Sequence, residues 1–244
     1  MEIPLFLAMT AAEFRRTAAL PAHPAWMACH FAAYGTGLSN IPEVLPRKSM
    51  LMLNDRTPIC GHDPNEVAAT LCEAAQRLEC DSILLDFQRP DCTELPDVIR
   101  AVLEQADCPV GISSLYSEGF DCPVLVPPIS PQIIPKDALS VWEGREIWLE
   151  LSTTGTEITV TEDGSRYALL PDFFPDGLTH QEPQLHCHYQ ITVEEDRVRF
   201  HLSRSPEDQL ALICTAQTFG VTKALGLWQE IKEPVANATG SDEI

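Results

Sequence analysis

Short apolar runs of strand length, each closed off by polar residues or by proline and glycine, recur at Pro4–Met9, Trp26–Ala32, Ser49–Asn54, Ser82–Gln88, Pro109–Ser114, Cys122–Pro127, Glu146–Leu151 and Lys223–Trp228. Runs of this kind predict buried strands. Helical spacing appears between them. Asp63 stands as an N-cap before Pro64, with Glu66 following, and Val67, Leu71, Ala74, Ala75 and Leu78 form one apolar stripe. Leu95, Val98, Ile99, Val102, Leu103 and Ala106 repeat the pattern, and Ser205, Pro206 and Asp208 open a third helix that leads to the last run. Strand and helix in alternation predict a parallel sheet with right-handed crossovers. Eight such runs are the number that closes an α/β barrel of the (β/α)8 TIM type.

Two features bend this pattern. Only Leu115–Asp121 separates the fifth and sixth runs, too little for a crossover helix, so the barrel is expected to be irregular there. Pro127, Pro128, Pro131 and Pro135 then impose an extended loop, with a short helical turn around Asp137–Glu143. From Thr156 to Ser203 the hydrophobic period changes to two. Thr156–Glu162, an Asp163-Gly164 turn and Ser165–Leu170 predict one hairpin, and His186–Val193 with Arg197–Ser203 predict another. The expected organisation is one barrel domain over residues 1–231, an antiparallel β insertion at 152–204 after the seventh strand, and a frayed tail over 232–244.

Acids outnumber bases 36 to 16, for a formal charge of −20. Such a surface repels phosphate backbones and anionic lipid, so nucleic acid and membrane are excluded as expected partners. No apolar run approaches the roughly 20 residues of a membrane span. The apolar N-terminus lacks the basic segment of a signal peptide and reads as a strand. Nine cysteines occur without a CxxC pair, which suits reduced core thiols in a cytoplasmic protein. Oligomeric state leaves no signature in the sequence.

In barrels of this class the reacting groups project from the C-terminal strand ends. Alternation along the fourth run turns Ile83, Leu85 and Phe87 towards the helices and Ser82, Leu84, Asp86 and Gln88 inward, placing a carboxylate and an amide at the mouth. Asp81-Ser82-Ile83-Leu84-Leu85-Asp86-Phe87-Gln88 resembles the Asp-x-x-Asp-x-Asp-x-Glu motif that the family 18 glycoside hydrolases, the chitinases and their relatives, carry on their fourth barrel strand. The insertion after the seventh strand and the late Trp228 agree with that resemblance.

The resemblance implies a barrel that binds an oligosaccharide or glycan fragment, with no cofactor and no metal. It also implies that the family's proton donor, a glutamate, is Gln88 here, and that Leu84 replaces one supporting carboxylate. An amide has no titratable proton near neutral pH, so the family mechanism fails at this position. Asp86 and, on the seventh strand, Glu150 are the candidate catalytic residues. Glu150 points inward near the strand top, where an apolar wall such as Trp148 is expected to raise its pKa; a salt bridge to Arg89 or Arg56 is the alternative. Gln88, Asp55, Arg56, Tyr34, Trp148 and Trp228 are the candidate substrate-binding residues, the tryptophans as stacking platforms.

Other constellations carry less. His186 and His188 share a strand face but no third ligand is fixed by spacing. Cys29 and His30, adjacent on a strand, point to opposite faces and cannot form a nucleophile and base pair. Lys48 and Lys223 precede their strands, at the wrong end for a Schiff base. Three functions follow: a carbohydrate-binding barrel that has lost its acid, an atypical glycosidase using Glu150, and an interaction module docking through the exposed strands around His186–Ser203.

Overall fold

A computed structural model of the chain describes residues 3–34, 37–59, 61–171 and 179–231. The predicted tail, 232–244, lies outside the described residues, as does Cys60. In chain order the elements are β1 (Leu5–Met9), α1 (Ala11–Arg16), β2 (Pro24–Phe31), β3 (Leu38–Ser39), β4 (Met50–Asn54), α2 (Pro64–Arg77), β5 (Ser82–Asp86), α3 (Leu95–Gln105), β6 (Val110–Ser113), β7 (Val124–Val126), α4 (Pro135–Ser140), β8 (Ile147–Leu151), β9 (Gly155–Thr161), β10 (Gly164–Leu170), β11 (His180–Glu182), β12 (Cys187–Val193), β13 (Val198–Ser203), α5 (Pro206–Ala216) and β14 (Val221–Leu227).

The strands β1, β2, β4, β5, β6, β7, β8 and β14 pair in parallel in that order, and β14 pairs back onto β1 to close the barrel. These are the eight apolar runs, with ends displaced by a few residues. Phe6, Ala8, Ala25, Met50, Met52, Leu84, Leu125, Trp148 and Leu225 fill the interior as one cluster. Their sequence neighbours Leu51, Leu53, Ile83 and Leu85, with Ile112 of β6, face out onto α2 and α3. Two-residue alternation thus divides one set of strands into a barrel core and a helix-facing layer.

Trp148 is the largest member of the interior cluster, 1% exposed. Gly111 on β6 makes room for it, because a Cβ there would stand 2.3 Å from the indole. Lys223 lies within β14, not before it, yet at the expected bottom end. Its ammonium donates to Asp81 and sits 5.1 Å and 5.2 Å from the ring centres of Phe6 and Trp148.

Helix boundaries follow local chemistry. The Asp63 carboxylate accepts the Asn65 amide at 2.8 Å to start α2, and Ser205 with Asp208 forms a reciprocal capping box at α5. Where spacing left no room for a helix, β6 and β7 are joined through a single 3₁₀ turn, Ser114–Tyr116. Among the described residues between β2 and β4 the regular element is β3, which pairs antiparallel with β2.

The insertion is one five-stranded antiparallel sheet in the order β10-β9-β13-β12-β11, its two hairpins joined by the β9–β13 pair. The two residues that turn the first hairpin are Glu162 and Asp163, since Gly164 already pairs with Thr161. Buried Arg204 fixes the sheet to the barrel. Its guanidinium donates to the carbonyls of Ile129 and Ser130 on the loop after β7, and to those of Leu185 at 3.0 Å and His186 at 3.1 Å. Burial lowers its pKa to about 10, which leaves it charged at neutral pH. Of the strands expected as a docking edge, β13 lies between β12 and β9, and β12 is flanked by β13 along its length and by β11 over Cys187–Tyr189.

Candidate functional site

Side chains at the C-terminal ends of β1, β2, β4 and β5 surround a cleft of about 640 Å³ that includes Thr10, Arg15, Met27, His30, Asn54, Asp55, Arg56, Asp86, Gln88 and Arg89. This is the face on which barrels of this class carry their chemistry. The positions come from strand alternation. Asp86 ends β5 on the inward side, and Gln88 follows two residues later on the same side, its Nε2 donating to Asp86 Oδ1 at 2.6 Å. Burial raises the Asp86 pKa above its ordinary value, the amide bond from Gln88 lowers it, and the Asp55 charge adds to the rise.

Asp55 is 4% exposed, and its carboxylate accepts the backbone N–H of Gln88 at 3.0 Å and of Arg89 at 2.8 Å. Its role is to fix the chain leaving β5. Asn54 does the same for the neighbouring turn: Nδ2 donates to the carbonyls of Met27 and Cys29, and Oδ1 accepts the Arg56 amide at 3.1 Å. The Arg89 guanidinium donates to the Arg56 carbonyl at 2.9 Å, and Tyr116 donates to the Arg89 carbonyl. His30 Nδ1 lies 2.8 Å from the Phe31 carbonyl and Nε2 lies 3.1 Å from Asn40 Nδ2, which orients the ring with Nδ1 as donor.

Glu150 sits on β8, half-buried, and is not among the residues around this cleft. Its pKa is pushed up to about 7, first by burial, then by the negative charges of Asp86 and Glu230. The expected apolar wall is therefore only part of the cause; two carboxylates complete it. No ion pair joins Glu150 to Arg89 or Arg56 among the described residues. Glu230, which follows β14, accepts the Thr153 amide at 3.0 Å and the Ser152 hydroxyl at 3.2 Å. The sequence offered no sign of Glu230, because the turn that carries it comes to β8 only through barrel closure.

Two of the aromatic candidates are placed otherwise than expected. Trp148 is sealed in the barrel core, with no open face for a sugar ring. Trp228 packs, half-buried, against the outer cluster of β7, β8 and α5. Tyr34 is 95% exposed. Arg15, which no strand-end pattern pointed to, and Arg89, expected only as a partner for Glu150, line the cleft directly. The Thr10 and Glu13 capping box just beyond the first run was the available signal for Arg15.

The remaining constellations are structural. His188 Nδ1 lies 2.6 Å from Asp208 Oδ2, and His186 Nε2 lies 2.9 Å from Thr215 Oγ1, so both histidines bind the insertion to α5. Burial pushes the Cys29 and Cys80 thiols up to about 12 and Cys187 to about 11, far from reactive thiolates. A depression of about 950 Å³ lies between the hairpin tips of the insertion. Among its charged side chains Arg197 pairs with Asp196 and Glu194.

No family model and no curated protein sequence matches the chain. Solved structures do. A glycoside hydrolase family 18 N-acetylglucosaminidase from Paenibacillus barengoltzii superposes with a TM-score of 0.59 at 7% identity, over 97% of this chain and 99% of that one. A class V chitinase from Nicotiana tobaccum, a Glu-to-Gln mutant in complex with NAG4, gives 0.59 at 9% identity over 99% and 100%. A chitinase-like agglutinin from Robinia pseudoacacia gives 0.57 at 11% identity over 96% and 99%. At such identities the likeness is one of fold alone, a closed (β/α)8 barrel.

Proposed function

We propose that the chain is a glycan-binding barrel in which Gln88 stands where family 18 enzymes keep their acid, so that oligosaccharide is held without the usual proton donation. One observation carries this reading: the 2.6 Å bond from Gln88 Nε2 to Asp86 beside a cleft at the C-terminal strand ends. In this reading the motif's reacting position holds an amide bonded to a carboxylate. Amide and carboxylate can both hydrogen-bond sugar hydroxyls, but an amide at the acid position cannot supply the 10²–10⁴-fold of general acid catalysis. The neighbours lend support. One protein of this fold is an agglutinin, and another holds NAG4 as a Glu-to-Gln mutant.

A second reading has its own observation, the Glu150 pKa of about 7. A carboxyl group half-protonated near neutral pH is poised for proton transfer. In this reading Glu150 is the acid and turnover is slow.

Thermal-shift measurements against chito-oligosaccharides, with products assayed in the same samples, test both. Stabilisation without products, and hydrolysis that appears in Gln88→Glu, supports the binding barrel. Products from the unaltered protein that vanish in Glu150→Gln support the second reading. No shift with any glycan refutes both.

A further inference from the structure

The cleft holds more positive charge than such an acidic chain would be expected to concentrate. Arg15 from α1, Arg56 from the turn after β4 and Arg89 from the chain after β5 all line it, although acids outnumber bases 36 to 16 overall. Outside the cleft some arginines pair with carboxylates, as Arg47 with Glu79, Arg100 with Asp97 and Arg199 with Glu194, and others, such as Arg77, Arg145 and Arg204, donate to backbone carbonyls, as Arg89 does to the Arg56 carbonyl. Among the described residues none of the three cleft arginines makes an ion pair.

The two carboxylates beside them are already engaged. Asp55 accepts the amides of Gln88 and Arg89, and Asp86 is bonded by Gln88. Two of the arginines are also mounted on fixed backbone, Arg56 through Asn54 and Arg89 through Asp55 and Tyr116. Fixed backbone lowers the ordering cost of closing guanidinium groups on a ligand.

We propose that this cleft selects an acidic glycan, one whose sugar carries a carboxylate, with Arg56 and Arg89 pairing to that carboxylate and Arg15 adding to the attracting field. This rests on the glycan-binding reading above and names its ligand class. A guanidinium presents a planar fork that matches a carboxylate in a way a neutral hydroxyl does not. The overall charge opposes approach of an anion, so local pairing, not long-range steering, must provide the preference.

The test compares three probes by titration calorimetry: a hyaluronan tetrasaccharide, its uronate methyl ester, and chitotetraose. The acid is expected to bind about tenfold more tightly than its ester, the size of one charge-assisted hydrogen bond. That preference should shrink as salt rises. Arg56→Gln and Arg89→Gln should each weaken the acid more than the ester, and their melting temperatures show whether they fold. Equal affinity for acid and ester, with chitotetraose also bound, overturns the acidic preference and leaves glycan binding standing. Binding of none of the three overturns glycan binding itself, and the preference with it.

Discussion

Glu150→Gln tests whether the mouth of the barrel holds a carboxyl group against its own ionisation. The rise in pKa from the ordinary 4.5 to about 7 corresponds to roughly 3 kcal/mol of unfavourable ionisation, at about 1.4 kcal/mol per pKa unit. The side chain is half-buried, so water screens part of this, and the expected effect is about 1–2 kcal/mol. An acid whose folded-state pKa lies above its unfolded value binds its proton more tightly when folded. Its contribution to stability is whole below about 4.5 and is lost as pH rises through about 7. The glutamine variant carries no such penalty. Urea denaturation of both proteins at about pH 4 and about pH 8 should therefore show near equality in acid and a variant about 1–2 kcal/mol more stable above neutrality. That gain corresponds to a melting temperature roughly 2–8 °C higher for a chain of this size. Parallel pH profiles, or a variant less stable at both values, would show that Glu150 is solvated or paired, and the second functional reading would lose its premise.

Further outcomes follow from packing and charge. Gly111→Ala drives a methyl group into the Trp148 ring, 2.3 Å away, and is expected to cost about 1–3 kcal/mol in denaturant titration. Arg204→Met leaves the carbonyls of Ile129, Ser130, Leu185 and His186 without their buried donor; a loss of about 3–5 kcal/mol is expected, with hydrogen exchange rising first in β11–β13. Ser205→Ala removes the α5 cap and should cost about 1 kcal/mol. Gln88→Glu places a second carboxyl group beside Asp86, so its acid–base titration, followed by NMR, should show a raised macroscopic pKa as well as any gain in hydrolysis.

The barrel was legible because its strands announce themselves locally. Each run that fills the interior and faces the helices must be apolar on both sides, as in Met50–Leu53, where all four residues are buried. The α2 and α5 starts were legible for the same reason, since Asp63 and Ser205 act on amides two or three residues away. The joining of the two hairpins into one sheet was not legible, because the β9–β13 pair links positions some 40 residues apart, as in Glu157 and His201. The tryptophans misled because strand alternation gives the direction of a side chain but not its depth. Trp148 does point inward, as expected, but into a filled core and below the mouth.

By itself the sequence determined the closed parallel barrel, the place of the insertion and the inward direction of Asp86, Gln88 and Glu150, because burial on alternate faces writes a short-range pattern into the chain. Only the tertiary structure decided what those groups meet. Arg15 reaches the cleft from near one end of the chain, and Glu230 acts on Glu150 from near the other. The charge state of a carboxyl group depends on how much water and which charges surround it, and those neighbours are brought together by barrel closure, to which no local pattern refers.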